Sequence, residues 1–253
     1  MRSRGRVSFL SVVFFTTIAF WCIPKQQVTG QSVYPGWFLN PGLVQNNNMA
    51  DACITPSYYA DSSASIALQK ARSNWIRDQK ALIRGLNMFW ATEAGTYWVH
   101  TEYEEEIDSS LIMTANEFRV LDIYRGKKIV IVLSGDKSAT VTNPSLLKCV
   151  PFPKEKPKWI EDVPKDDLYV YAVGAAPSYF YEPSSWDEAT EHARKELARS
   201  ILVKTSALHK NNEFEGQEQR EENVEVVMKN FQVVKRWREE KQGFFYVLAR
   251  IPR

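Results

Sequence analysis

Histidine and cysteine are scarce in this chain. Three of each in 253 residues leave little material for metal binding or for activated nucleophiles. His100, His192 and His209 show no H-x-x-x-H or H-E-x-x-H spacing, which a zinc site built on one helix needs. No two cysteines form a C-x-x-C pair, so a dithiol redox centre is not expected. Glycine is also sparse. No G-x-G-x-x-G or Walker loop is present to cradle a phosphate, and no G-x-S-x-G elbow presents a serine. The acidic runs Glu104-Glu105-Glu106 and Glu213 to Glu225 lack the D-x-[DN]-x-[DN]-G order of a calcium loop. Neither a cofactor nor a metal is expected, and an enzyme built on a familiar catalytic set is not indicated.

Charge of one sign is missing too. The formal +2 rests on Arg2, Arg4, Arg6 and Lys25, which stand in an N-terminal segment without Asp or Glu. Without residues 1–30 the charge becomes −2, and no basic face points to nucleic acid. That segment reads as an export signal or anchor. A basic start is followed by the uncharged run "VSFLSVVFFTTIAFWCI" and then by small residues before Gln31. Three outcomes fit it: a signal cleaved before Gln31, a lipid placed on Cys22, or a retained anchor. Export makes Cys53 and Cys149 a candidate disulfide, with two buried thiols as the alternative.

What is abundant is self-similarity. "PSYYADSS" from Pro56 is echoed by "PSYFYEPSS" from Pro177, and Pro183 reads as a single insertion. Ala67 and Ala71-Arg72 then match Ala189 and Ala193-Arg194, and Phe118 to Leu133 resembles Phe231 to Leu248. A Pro-x-Trp opening precedes each block, at Trp37 and Trp159. Two units follow from this, 31–149 and 150–253, with residues 1–30 apart; the proline-rich "VPFPKEKPK" lies at the boundary.

Each unit reads as strand, helix and closing hairpin. "LYVYAVGAA" (168–176) has strand length. Trp186, Ala189, Ala193, Leu197 and Ile201 form one helical stripe, and Ala67, Ala71, Trp75, Leu82 and Leu86 form the other. The Ser-Ser pairs are placed to start the helices, with Ser185 and Glu188 as a capping box. Gly174 suits a close helix–strand contact. The expected class is α+β: two tandem repeats, each one helix packed on a mainly antiparallel sheet.

Aromatic residues crowd the strand-to-helix corners. Tyr58 and Tyr59 stand in the first, and Tyr179, Phe180 and Tyr181 in the second. They either cover the core or form a partner-binding rim.

The Pro-x-Trp opening, "YAVGAA", the Ser-led helix with Ala-x-x-x-Ala-Arg, and the "VVKRW…GFFYVLARI" ending resemble the twenty-kilodalton lipoprotein family of bacterial envelope proteins. The likeness covers 157–253, with 35–133 as a divergent copy. It implies export to the periplasm or outer membrane and a structural or assembly role beside an envelope protein partner, with membrane attachment through a signal-anchor or lipid. It implies no catalytic residues. Against that copy, Cys53 aligns with Gly174. The alternative is a periplasmic enzyme or small-ligand receptor whose site lies between the two repeats.

Overall fold

The computed structural model describes residues 33–44, 48–92, 95–209, 221–239 and 243–253, without the side chains of 85–103, 202–209 and 221–225. The first half contains β1 (Val33–Pro35), α1 (Gly36–Leu39), β2 (Met49–Ile54), α2 (Ala60–Gln79), β3 (Lys80–Thr92), β4 (Gly95–Ile107), α3 (Ile112–Asn116), β5 (Arg119–Arg125) and β6 (Val130–Gly135). There follow β7 (Cys149–Pro151), β8 (Tyr169–Pro177), α4 (Glu182–His209), β9 (Glu221–Lys229), β10 (Gln232–Glu239) and β11 (Phe244–Pro252). The class is α+β, and every strand pairing is antiparallel.

Two of the sheets are laid out alike. One has the order β5-β6-β2 and the other β10-β11-β8. In each, a helix follows the outer strand, and the last two strands are joined by a turn. The second turn holds Gly243 at φ 71°, a left-handed conformation that glycine adopts without penalty. β8 buries Ala172, Gly174 and Ala176 in alternation. At Gly174 an added Cβ would lie 1.9 Å from the Ala189 carbonyl oxygen, so helix and sheet touch there backbone to backbone.

The corners differ from the sequence expectation in one physical detail. The helices begin at Ala60 and Glu182, before the second serine of each pair. Those serines therefore do not cap the helices. Instead the Ser63 hydroxyl accepts the Ser57 N–H at 2.8 Å, and the Ser185 hydroxyl accepts the Tyr179 N–H at 2.8 Å. Each hydroxyl ties the approaching loop back onto the first turn, a local side-chain-to-backbone bond typical of serine. This pairing fixes a constant spacing of 122 residues, from Ala60 to Glu182, with no insertion at Pro183. The same step of 122 leads from Ala52 to Gly174 and from Cys53 to Ala175. Pro56 and Pro177 are 121 residues apart, one short of that step.

Helix α2 is also shorter than its apolar stripe. It stops at Gln79, and Leu82 and Leu86 lie on β3. β3 pairs with β4 on one side and with β9 on the other. Residues 221–225, the end of the second acidic run, are part of β9. The turn after β9 supplies caps: the N–H groups of Asn230 and Phe231 donate to the Gln79 and Asp78 carbonyls at 3.1 and 2.8 Å. Two of the helix's orphan carbonyls are thereby satisfied. Asn230 takes φ 53°, which asparagine tolerates better than most residues.

The main core joins both halves around Trp186. Its ring lies 5.5 Å from Phe38, 6.1 Å from Phe152 and 4.7 Å from Phe245. The 149/150 boundary falls within β7, which pairs with β1. Tyr34 of β1 donates its hydroxyl to Glu182 in the first turn of α4. Burial pushes the Tyr34 phenol up, and the Glu182 carboxylate adds to the shift. Among the described residues no helix is long and apolar enough to cross a membrane.

Candidate functional site

Helices α2 and α4 run side by side in the same direction. The Lys70 ammonium meets the Asp187 carboxylate at 2.5 Å, and further along Arg194 meets Asp78 at 2.5 Å. Lys70 is eleventh in its helix and Asp187 sixth in its own. At roughly 1.5 Å per residue, α2 extends beyond the start of α4 by about 8 Å. Both aromatic corners therefore lie at the same end of the molecule, in two steps.

Between the helices and the edges of β2 and β10 is a cleft of about 560 Å³. Its floor is ionic. Arg236 pairs with Asp51 through two contacts, one of them 3.1 Å, and donates to the Phe38 carbonyl at 3.0 Å. Its guanidinium also stacks 4.3 Å from the Phe38 ring centre. Arg194 does the same over Phe231, at 4.3 Å. Glu105, inward on β4, lies 3.3 Å from Arg77 and 3.5 Å from Arg194. Burial pushes the Asp78 carboxyl up to about 6, against the pull of Arg194. The Nε atoms of Arg77, Arg194 and Arg236 have no hydrogen-bond partner among the described residues. The cleft is polar and carries charges of both signs, and the Cys53 thiol on its wall is pushed up by burial and stays protonated.

The five corner aromatics face solvent. Tyr58 is 93% exposed and Phe180 91%, and Tyr59, Tyr179 and Tyr181 are exposed as well. Within each corner two rings meet edge to face, Tyr58 with Tyr59 at 5.0 Å and Phe180 with Tyr181 at 4.9 Å. The core is covered without them.

The second corner lies in the part of the chain that runs from the Trp159 turn through β8, α4 and the closing hairpin. Residues 157–252 match the LPP20 lipoprotein family. No curated protein and no solved structure matches the chain.

The matched segment supplies part of the cleft, through Trp186, Asp187, Arg194 and Arg236. The larger part of the lining comes from residues before it. Neither Arg194 nor Arg236 stood out in the sequence as a site residue, because both sit inside motifs read as fold landmarks. The available signal was a charge next to an apolar stripe: Arg194 follows Ala193, and Asp78 interrupts the first helical stripe.

The remaining candidates disperse. Cys53 is a free thiol buried on β2, so the bridge to Cys149 is not formed. Cys149 is on β7, opposite Pro35. Cys22, the segment 1–30 and the side chains of His100 and His209 are outside the described residues. His192 contacts the Ala175 carbonyl at 2.6 Å and Glu188 at 3.2 Å. Among the described residues no three His, Cys, Asp or Glu side chains gather into a metal site. Glu104 and Glu106 point to solvent while Glu105 points inward, the alternation of a strand.

Proposed function

We propose that this protein is a non-enzymatic module of the bacterial cell envelope, built from two copies of one α+β unit, that holds an envelope protein partner on its aromatic corners. The lipoprotein match of residues 157–252 supports the envelope setting. The shared strand order and the constant 122-residue spacing support the two copies. The observation that carries the binding role is the exposure of five large aromatic side chains at one end of two parallel helices. Tyrosine-rich patches of this kind are common anchors at interfaces. Attachment to the membrane, through a lipid on Cys22 or a retained N-terminal segment, would keep the corners beside envelope partners.

A photo-crosslinking residue placed at Tyr58, and separately at Phe180, tests this in intact cells. Both positions should yield an adduct with the same envelope protein, while Lys137 on the exposed β6 turn should not. Adducts that differ between the corners, or none, would refute it.

A second reading rests on the cleft, whose volume and cluster of buried arginines suit a small polar ligand. In that case Tyr58 and Tyr179 replacements leave binding untouched, and Arg77→Met removes it without loss of fold. A screen of small polar compounds by thermal shift that finds nothing on the intact protein sinks this reading.

A further inference from the structure

The two helix-backed sheets have four outer strands, and three of them are guarded against pairing with another chain. β5 carries Arg119, Asp122 and Arg125, and its register breaks between Val120 and Asp122. β10 carries four charged residues and breaks between Val233 and Lys235. β2 is covered from above. Asn74 donates to the Asp51 carbonyl at 3.0 Å, Lys70 to the Cys53 carbonyl at 2.8 Å, and Arg236 fills the space beside it. Charge, bulges and cover are the usual protections of a sheet edge.

β8 has fewer of them: its cover is one side chain, His192, at the Ala175 carbonyl. Its nine residues, Tyr169–Pro177, carry no charge, and its register with β11 is unbroken. The Ala175 carbonyl turns outward to His192. By the two-residue alternation of an antiparallel ladder, the backbone groups of Val173 and Tyr171 turn outward as well. Among the described residues no backbone group meets them across that edge.

We propose that β8 is the seam of a homodimer, in which two copies pair β8 with β8 antiparallel about a two-fold axis at Val173. Two three-stranded sheets then become one of six strands. A second copy fits this edge for three reasons. An uncharged strand is its own antiparallel complement and meets no like-charge repulsion in the other copy. The same patch serves both partners, as a closed two-fold interface requires. The register sets Tyr171 opposite the partner's Ala175. It also brings Leu168, 72% exposed just before β8, beside the partner's Ser178. A large exposed apolar side chain is thereby covered at both ends of the seam, while Tyr58 and Tyr59 stay free. The seam is independent of the partner-binding reading.

Charge exchange at the axis tests the seam. The full-length chain, purified from envelopes in mild detergent, should show by light scattering twice the protein mass of one chain. Val173 is half-buried, so a long side chain there can reach water. Val173→Lys and Val173→Glu each set two like charges face to face and should abolish the dimer. An equimolar mixture of the two variants should restore it, a result that also certifies that both are folded. The proposal is overturned by a wild-type monomer at every concentration, by folded variants that remain dimeric, by a mixture that stays monomeric, or by a strand of a different protein captured at β8.

Discussion

Arg236 is the side chain whose loss the fold should tolerate least. It and Asp51 are each 7% exposed at the side chain, and they are 185 residues apart in sequence. Replacing Arg236 with Met keeps much of the apolar stem and removes the charge. Asp51 is then buried without a partner, which costs about 3–5 kcal/mol. The Phe38 carbonyl loses its charged donor, and the Phe38 ring its stacked cation; these losses overlap with the first and are not added to it. For a chain of this length about 4 kcal/mol lowers Tm by roughly 8–16 °C. Changing Asp51→Asn in the same molecule removes the stranded charge. The double variant should recover about half of the loss, leaving the cost of an unpaired Phe38 carbonyl at about 1–3 kcal/mol. Urea unfolding followed by tryptophan fluorescence reads all four corners of this cycle, since the chain has eight tryptophans. A loss below about 1 kcal/mol for Arg236→Met, or a double variant as unstable as the sum of the singles, would refute a buried ion pair as the tie between β2 and β10.

Gly174→Ala should destabilise by about 3 kcal/mol or more, because the new Cβ meets the backbone of Ala189 and Ala193 and not a movable side chain; Ala52→Gly, at the corresponding place, should cost only about 1 kcal/mol. Thermal melts of both variants check the contrast. Asp78 holds its proton up to about pH 6 in the fold against 3.8 as its ordinary value, so its contribution to stability is full below about pH 4 and is lost as pH rises through 6. Asp78→Asn should flatten that part of the stability–pH curve, and an unchanged slope would show that another group titrates. Ser63→Ala and Ser185→Ala each leave a loop N–H without its acceptor and should cost about 1–2 kcal/mol apiece, with equal effects if the two corners are equivalent.

Strong local periodicity made the LPP20 segment easy to read. The apolar run of β8, the alanine stripe of α4 and the glycine of the last turn each specify one local structure, and the fold agrees with all three. Leu82 and Leu86 misled, because their four-residue spacing continues a helical stripe. Pairing of β3 with two neighbouring strands overrides that local preference, and no neighbour is visible in a single window of sequence. The Ser-Ser pairs were placed at the right corner with the wrong bond, since the same hydroxyl can cap a helix or fold a loop onto it. The cleft was the least legible part. Arg194 and Asp78 are 116 residues apart, and nothing in either neighbourhood announces the other. The corner aromatics were found by position, but whether they cover or protrude depends on how far the helix end stands from the core.

The cap on α2 bears on how the chain is made. Its last carbonyls wait for the N–H groups of Asn230 and Phe231, and β3 waits for β9. A chain emerging from its N-terminus thus has its first long helix open-ended until nearly all of it has been delivered. Such distant pairings give a high contact order, and folding should be slow. A chain halted before residue 230 should behave as a protease-sensitive polypeptide, and completion of the last hairpin should close both halves in one cooperative step.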